Sequence, residues 1–366
     1  MRYECKTCGQ KHYNYKSCGN SHCMICQGIK RMEWQERLST RLFNVPSSHI
    51  TFTLPHQINK IARRYPKEIY NLIMRSAWKT INDLCIIESN IGAKPGMIAV
   101  LHTWGSDLKH HIHVHTLVTF GGLKDGEWIW PKRKHKVASF RQLCSTFRTN
   151  YLISLDKLIA DNKIDLQLVT KEIRNDIEHL RWVVNHQRPT ANTATVEEYL
   201  SRYICRSAIT TNRIDYDSAL KTVKIIYKDY KHQKKGEPAP YTFKHLHPLE
   251  AINQILRHKL PPYFHKCRYY GLHSTAQQAK IKDTLPEKLK RNADTIRILF
   301  SVLKARLGIA SIEEVGCSNC ESNDFLITTV VPDVLWPMLY IKHYTLNKSP
   351  PFPKSKKYAL HKYQSD

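Results

Sequence analysis

The sequence predicts an α+β fold, an antiparallel sheet flanked by helices. Three observations carry that expectation. Short runs rich in β-branched and aromatic residues occur at 48–55, 97–104 and 111–120, the composition strands favour. Few segments suit the long crossovers of parallel βαβ units. No Gly-rich phosphate loop appears. At 366 residues and 42% hydrophobic, the chain is long enough for two or three domains with a sizeable core. Collagen-like and wholly disordered classes are excluded. No apolar run approaches the ~20 residues of a membrane span, and no signal peptide is visible.

In chain order, residues 1–32 are Cys-rich and polar and form a small module without a core pattern of its own. Helical stretches follow at 30–42 and 56–88, with a strand between them that Pro55 ends. The strand at 97–104, a polar turn and the strand at 111–120 come next, closed by Gly121-Gly122. Phe140–Ala160 reads as a helix and residues 181–184 as a short strand. Residues 195–209 form a helix candidate, with Thr195 as cap and Glu198 three positions on, the pattern of a capping box. Residues 222–230 alternate as a late strand, and Pro248–Leu256 and residues 293–307 read as helices. After about residue 345 the chain is Pro- and Lys-rich, with Pro350, Pro351, Pro353, Lys354, Lys356 and Lys357, a loosely ordered basic tail. The resulting division is 1–32, 33–275 and 276–366.

Lys and Arg number 57 against 31 Asp and Glu, a formal charge of +26. Such a balance favours a polyanion, with nucleic acid first. Eleven cysteines, an odd number, argue against a secreted disulfide scaffold. Five of them lie from Cys5 to Cys26. Cys5-x-x-Cys8 and Cys23-x-x-Cys26 offer four thiolates in two tight turns, which suits tetrahedral Zn2+. Cys18, His12 and His22 are surplus donors. Cys317-x-x-Cys320 is half a site, open either to distant His or Cys ligands or to being a degenerate remnant. Cys85, Cys144, Cys205 and Cys267 are isolated and read as core thiols.

The densest signal is His102 followed by His110, His111, His113 and His115. On a strand, alternate side chains share a face. His111, His113 and His115 therefore point one way, and Ile112 and Val114 point into the core. Side chains two apart lie ~6.6–7 Å apart along the strand, so one ion can bridge either 111/113 or 113/115. Imidazole binds many divalent metals, and such an ion can polarise a phosphate. His102 on the preceding strand is a candidate third ligand.

Tyr199 and Tyr203 stand at i and i+4, on one helix face about a turn apart. A phenolate beside a metal-bound phosphate can attack phosphorus and form a phosphotyrosine. Arg202 and Arg206 supply cations for that phosphate. In a chain with 19 tyrosines, such a pair is more often core, and it gains weight from the histidines upstream.

Taken together, these residues resemble the two-tyrosine HUH (His–hydrophobic–His) transposases of rolling-circle insertion sequences, the insertion sequence ninety-one family. Five blocks carry the resemblance in order. They are Tyr3 to Gln27 around the cysteines; His49-Ile50-Thr51-Phe52-Thr53-Leu54-Pro55-His56; the His102 to Gly122 block; Tyr199-Leu200-Ser201-Arg202-Tyr203 with Arg206 and Arg213; and Tyr227-Lys228-Asp229-Tyr230 with Arg268-Tyr269-Tyr270-Gly271. Ile112 departs from the Pro expected there.

The resemblance implies an HUH-endonuclease-like sheet in residues 33–275, a zinc-binding module ahead of it and a basic C-terminal region behind. It implies His113 and His115 as the metal pair; it leaves the third ligand open, with His102 the first candidate and Glu198 in reserve. Tyr199 and Tyr203 become the nucleophiles, and Arg202, Arg206 and Arg213 the DNA contacts. It implies Mg2+ or Mn2+ at the histidines, Zn2+ at Cys5, Cys8, Cys23 and Cys26, single-stranded DNA as substrate, and a cytoplasmic, nucleoid-associated protein. Family members usually carry a helical segment before the first CxxC, so the chain reads as a shortened member, with cleavage retained and end recognition impaired. Two other classes fit part of the pattern. One is a zinc-ribbon DNA-binding protein without catalysis, and the other is a metal-dependent hydrolytic nuclease. Plasmid relaxases and replication initiators share the histidine chemistry.

Overall fold

The computed structural model describes residues 2–13, 34–190, 208–210, 213–230, 232–234, 236–281, 285–290, 296–297, 317, 319–322 and 324–329. The chain divides into two compact units, Met1–Ser17 with Ser301–Asp366, and Cys18–Phe300.

In the first unit, β1 (Arg2–Cys5) lies between β2 (Lys11–Tyr13) and β13 (Phe325–Thr329), both antiparallel to it. A strand from each end of the chain thus shares one small sheet.

The second unit is organised by a five-stranded antiparallel sheet in the order β12-β4-β5-β3-β8. Its strands are β3 (Ser47–Thr53), β4 (Gly96–Trp104), β5 (His110–Thr119), β8 (Val183–His186) and β12 (Cys267–Gly271). A hairpin, β6 (Gly122–Lys124) and β7 (Glu127–Ile129), follows β5. The antiparallel α+β architecture expected from the sequence is therefore what forms.

Strand parity decides the two faces. Ile50 and Phe52 of β3, Ala99 and Leu101 of β4, and Ile112 and Val114 of β5 are all buried in the principal core. Two long helices cover that side. Pro66 opens α2 (Pro66–Cys85) at its first position, where the missing N–H costs nothing; the short α1 (Ile58–Arg64) precedes it. Helix α2 buries Ile69, Ile73, Met74, Ala77, Ile81 and Leu84, the three- and four-residue spacing of an amphipathic helix. Helix α3 (Phe140–Ala160) starts on a full Ser139/Gln142 capping box and sets Phe147 against Phe52, ring centroids 4.8 Å apart. Helix α4 (Lys171–His179) adds Ile177, fully buried in the same core.

The opposite face is only partly covered. Leu38 and Leu42 pack on Ile98, Val100 and Leu117, leaving the far end of the central strands to polar side chains. Edge strand β12 pairs antiparallel with β4 and ends at Gly271, opposite Gly96, with a φ of +56°. A Cβ there would collide with the Pro95 carbonyl and the Trp78 ring, so only glycine fits.

A second antiparallel sheet, β11-β10-β9, comprises β9 (Ile214–Asp217), β10 (Thr222–Lys228) and β11 (Tyr241–Leu246). Ile225 at its centre is buried with Leu108, Ala208, Ile209 and Ala251, the last from α5 (Pro248–Leu256). Helix α6 (Thr275–Ile281) follows β12. No helix among the described residues is long and apolar enough to cross a membrane.

Candidate metal centre

The partly open face of the main sheet carries the histidines. Register places His102 of β4 directly opposite His113 of β5, and His115 two residues further along. Direct opposition and the two-residue period both keep side chains on one face, so three imidazoles converge. Their ring centroids are 5.3 Å apart for His102–His113, 4.8 Å for His102–His115 and 4.8 Å for His113–His115, with interplanar angles of 85°, 71° and 77°. One donor nitrogen from each lies within 4.8 Å of the others. His102 and His115 are buried and His113 is half-buried, so the cluster opens to solvent on one side.

This donor set fits a divalent cation. Three imidazoles with ring nitrogens this close cannot all be protonated without mutual repulsion, whereas neutral imidazoles are good ligands for many divalent ions. His111 lies beyond the group; its backbone carbonyl instead meets His113 Nδ1 at 3.0 Å.

The side chains behind the ligands are organised too. His115 Nδ1 stands 3.0 Å from His49 Nε2, with the two rings stacked at 5.1 Å. Thr51 Oγ1 approaches the same nitrogen at 3.3 Å. Burial, opposed by a hydrogen bond to Gln187, pulls the His49 pKa down to about 4, so this ring is neutral near pH 7. A neutral His49 can accept the Nδ1–H of His115, the tautomer that leaves His115 Nε2 as the metal donor. His102 is braced by Trp104, stacked at 4.6 Å and 19°. Replacing His49 with Phe keeps a stacking ring and removes the acceptor. The expected result is Mn2+ affinity at this site lower by roughly 10–100-fold with the fold intact; unchanged affinity in a calorimetric titration would remove His49 from the ligand set's support.

The β4–β5 turn that sets the register is pinned from below. Gly105 N donates to Lys109 O at 2.9 Å, and Leu108 takes a φ of +63°. His258 Nε2 meets Leu108 O at 3.0 Å. Arg213 spends its guanidinium on the carbonyls of Ile226, at 2.7 Å, and Ser106. Lys228 N donates to Ser106 Oγ at 2.8 Å. Arg213, expected as a DNA contact, also ties the small sheet to the histidine turn. Tyr199, Tyr203, Glu198, Arg202 and Arg206 lie outside the described residues.

The cysteines form a separate cluster within the first unit. Cys5 and Cys8 meet Cys317 and Cys320, with Cys5 Sγ 3.5 Å from Cys320 Sγ and Cys8 Sγ 3.5 Å from Cys317 Sγ. Burial by itself would raise the Cys5 thiol, but the backbone N–H groups of Cys8 and Thr7 outweigh it and bring the pKa down to about 6. Cys320 goes the other way: the Ser322 N–H favours its thiolate, but burial and the neighbouring sulfurs push it up to about 12. Four thiolates this close repel one another, and a cation among them would let them ionise together. Cys23 and Cys26, the pair expected to complete the zinc site, lie outside the described residues.

Sequence reasoning placed His102, His113 and His115 among its candidates. It did not assign His49 a role at the site, although strand parity puts His49 and Thr51 on one face opposite Ile50 and Phe52. It also left Cys317 and Cys320 as half a site, because their partners are more than 300 positions away.

Comparison with known proteins finds matches to both parts of the chain. A family profile described as "Putative transposase" matches residues 96–280, the span from β4 to α6, and one described as "Transposase zinc-binding domain" matches residues 1–54. A protein of Sinorhizobium fredii (strain NBRC 101917 / NGR234), "Putative transposase y4qJ", is 34% identical over 278 residues, 73% of this chain and 68% of the relative. The "Transposase for insertion sequence element IS801" of Pseudomonas savastanoi pv. phaseolicola is 25% identical over 280 residues, 72% of this chain and 64% of the relative. No solved structure matches the chain. With a histidine centre inside the matched transposase region and a thiol cluster that begins inside the matched zinc-binding region, the chain belongs to the IS91 family of transposases.

Proposed function

We propose that this protein is a rolling-circle transposase that cuts and rejoins single-stranded DNA through a 5′-phosphotyrosine, with Tyr199 and Tyr203 as nucleophiles. The observation that carries this reading is the convergence of His102, His113 and His115 on one open sheet face. Mg2+ or Mn2+ held there would polarise the scissile phosphoryl group and offset its developing charge. A tyrosine Oη attacks phosphorus, the O3′–P bond breaks, and the 3′ oxygen leaves as a hydroxyl after taking up a proton. The tyrosyl phosphodiester retains the energy of the broken bond, so rejoining needs no nucleotide cofactor. Two tyrosines one helical turn apart let a second strand be held while the first awaits resealing. Arg202 and Arg206, on the tyrosine segment, supply positive charge for the phosphates.

Support for a single-stranded substrate comes from the outer face of β9–β11. Tyr241 and Phe243 are 66% and 54% exposed. Lys224 Nζ sits 4.3 Å over the Phe243 ring and Lys228 Nζ 5.6 Å over Tyr241. Exposed rings interleaved with lysines suit unpaired bases on a charged backbone, each stacked base contributing ~1–3 kcal/mol. The double variant Tyr241→Ala/Phe243→Ala is expected to bind a single-stranded oligonucleotide at least about tenfold more weakly, read by fluorescence anisotropy, with less effect on duplex. Equal losses on both forms would count against this face as a base platform.

The reading as a whole is tested with 3′-labelled single-stranded oligonucleotides and Mn2+ on a denaturing gel. A covalent protein–DNA adduct on the 3′ fragment is the expected product. Cleavage with only free ends would instead make this a hydrolytic nuclease.

A further inference from the structure

The cysteine cluster has a symmetry that neither half shows alone. In the first CxxC turn, Cys5 O accepts from Gly9 N at 2.8 Å and Cys5 N donates to Gln10 O at 2.9 Å. In the second, Cys317 O accepts from Glu321 N at 2.8 Å and Cys317 N donates to Ser322 O at 2.8 Å. The bonding offsets are identical, four residues on and five residues on. Gly9 and Glu321 hold the same position in each turn, and both have positive φ, 71° and 60°. For glycine that conformation is free; for glutamate it carries strain, which persists only where the surroundings impose it. Cys5 and Cys317, the first of each pair, are both buried, and Cys8 and Cys320 lie further out. The 3.5 Å contacts join the inner sulfur of one turn to the outer sulfur of the other.

Two like turns thus bring four sulfurs within 4.8 Å of one another, the grouping a tetrahedral ion needs. With Zn–S bonds of about 2.3 Å, the edges of a sulfur tetrahedron are about 3.8 Å, close to the spacing found. A disulfide would need about 2.05 Å. The surrounding chain is built to the same end. Antiparallel pairing sets Cys5 opposite Phe325. Lys6 N donates to Asp324 O at 3.0 Å, the Lys6 ammonium pairs with the Asp324 carboxylate at 2.8 Å, and Thr7 Oγ1 donates to Ser322 Oγ at 2.9 Å.

We propose that Cys5, Cys8, Cys317 and Cys320 bind one structural zinc ion, so that the zinc-binding module is closed by the C-terminal region of the chain. The family's zinc-binding profile ends at residue 54, and the second pair of ligands comes from more than 260 residues beyond it. The module then cannot be completed by an N-terminal fragment. A four-thiolate set is complete without a donor from Cys18, His22, Cys23 or Cys26.

The experiment counts metal in the full chain. Zinc per protein is measured by elemental analysis for wild type, Cys5→Ser/Cys8→Ser, Cys317→Ser/Cys320→Ser and the quadruple variant. Each double variant is expected to lose one equivalent, and the quadruple variant the same single equivalent. Full zinc in Cys317→Ser/Cys320→Ser, or a loss of two equivalents in the quadruple variant, overturns the proposal. Because the serine variants can lose their fold, a ligand exchange gives a second reading. In Cys317→His, substituted with Co2+, the thiolate-to-metal band weakens and the visible bands shift as one sulfur gives way to nitrogen. An unchanged cobalt spectrum excludes Cys317 as a ligand.

Discussion

Replacing His113 and His115 together with alanine is expected to abolish Mn2+ binding at the main sheet and DNA cleavage with it, while the protein stays folded. Both side chains stand on the partly covered face of β5, whereas the residues that anchor this strand, Ile112 and Val114, face the other way into the principal core. Losing two imidazoles therefore removes donors without opening that core. One remaining histidine, His102, cannot hold a hydrated divalent ion against water. The single variant His102→Ala is expected to be less severe in metal affinity, since two ligands on one strand survive. Thermal melting should shift little in both variants, and a calorimetric Mn2+ titration gives the binding. Retained cleavage in the double variant would dissociate the chemistry from this centre.

The second large effect belongs to the tyrosines. Tyr199→Phe/Tyr203→Phe removes both phenolic oxygens while preserving the rings. Covalent attachment to DNA is expected to vanish, to the background of the chelator control, with oligonucleotide binding within a few-fold of wild type. Each single variant should retain adduct formation through the other tyrosine, with strand joining impaired more than cutting, because joining requires two strands to be held in turn. A double variant that still cuts at wild-type rate would place the nucleophile elsewhere, water included.

How far the sequence led depended on whether the deciding contact was local. The run at 111–120 is legible as β5 because apolar Ile112 and Val114 alternate with histidines, and the run at 97–104 as β4 because it is short and apolar on both faces. Phe140–Ala160 and Pro248–Leu256 are legible because helix length and termini are written locally, in Ser139 and Gln142 for the first and Pro248 for the second. Strand β12 was legible only as a landmark. Its partner β4 is about 170 residues earlier, and its half-buried residues carry no clear alternation. Strand β11 escaped for the opposite reason: its aromatic residues, Tyr241 and Phe243, point outward, and alternation read as apolar-inside misplaces them.

The same distinction runs through the sites. His113 and His115 announce themselves by period two. The opposition of His102 to His113 depends on the register of the β4–β5 hairpin, set by the Gly105–Leu108 turn and its bonds to His258 and Arg213, and no local pattern states that. His49 becomes visible only once β3 is known to lie beside β5. Spacing pointed to Cys5 and Cys8 together with the nearest CxxC pair in sequence, whereas the described structure places a pair from the far end of the chain beside them, brought there by β1–β13 pairing.

The central claim is that a tyrosine of this chain becomes joined to DNA at the histidine centre. The most direct measurement is peptide mapping of the adduct. Full-length protein is incubated with single-stranded oligonucleotide and Mn2+, digested with protease and nuclease, and the nucleotide-bearing peptide is sequenced by mass spectrometry. The account predicts a 5′-phosphonucleotide on Tyr199 or Tyr203, absent in chelator and absent in His113→Ala/His115→Ala. Modification of any other residue, or cleaved DNA with no modified peptide, would contradict it.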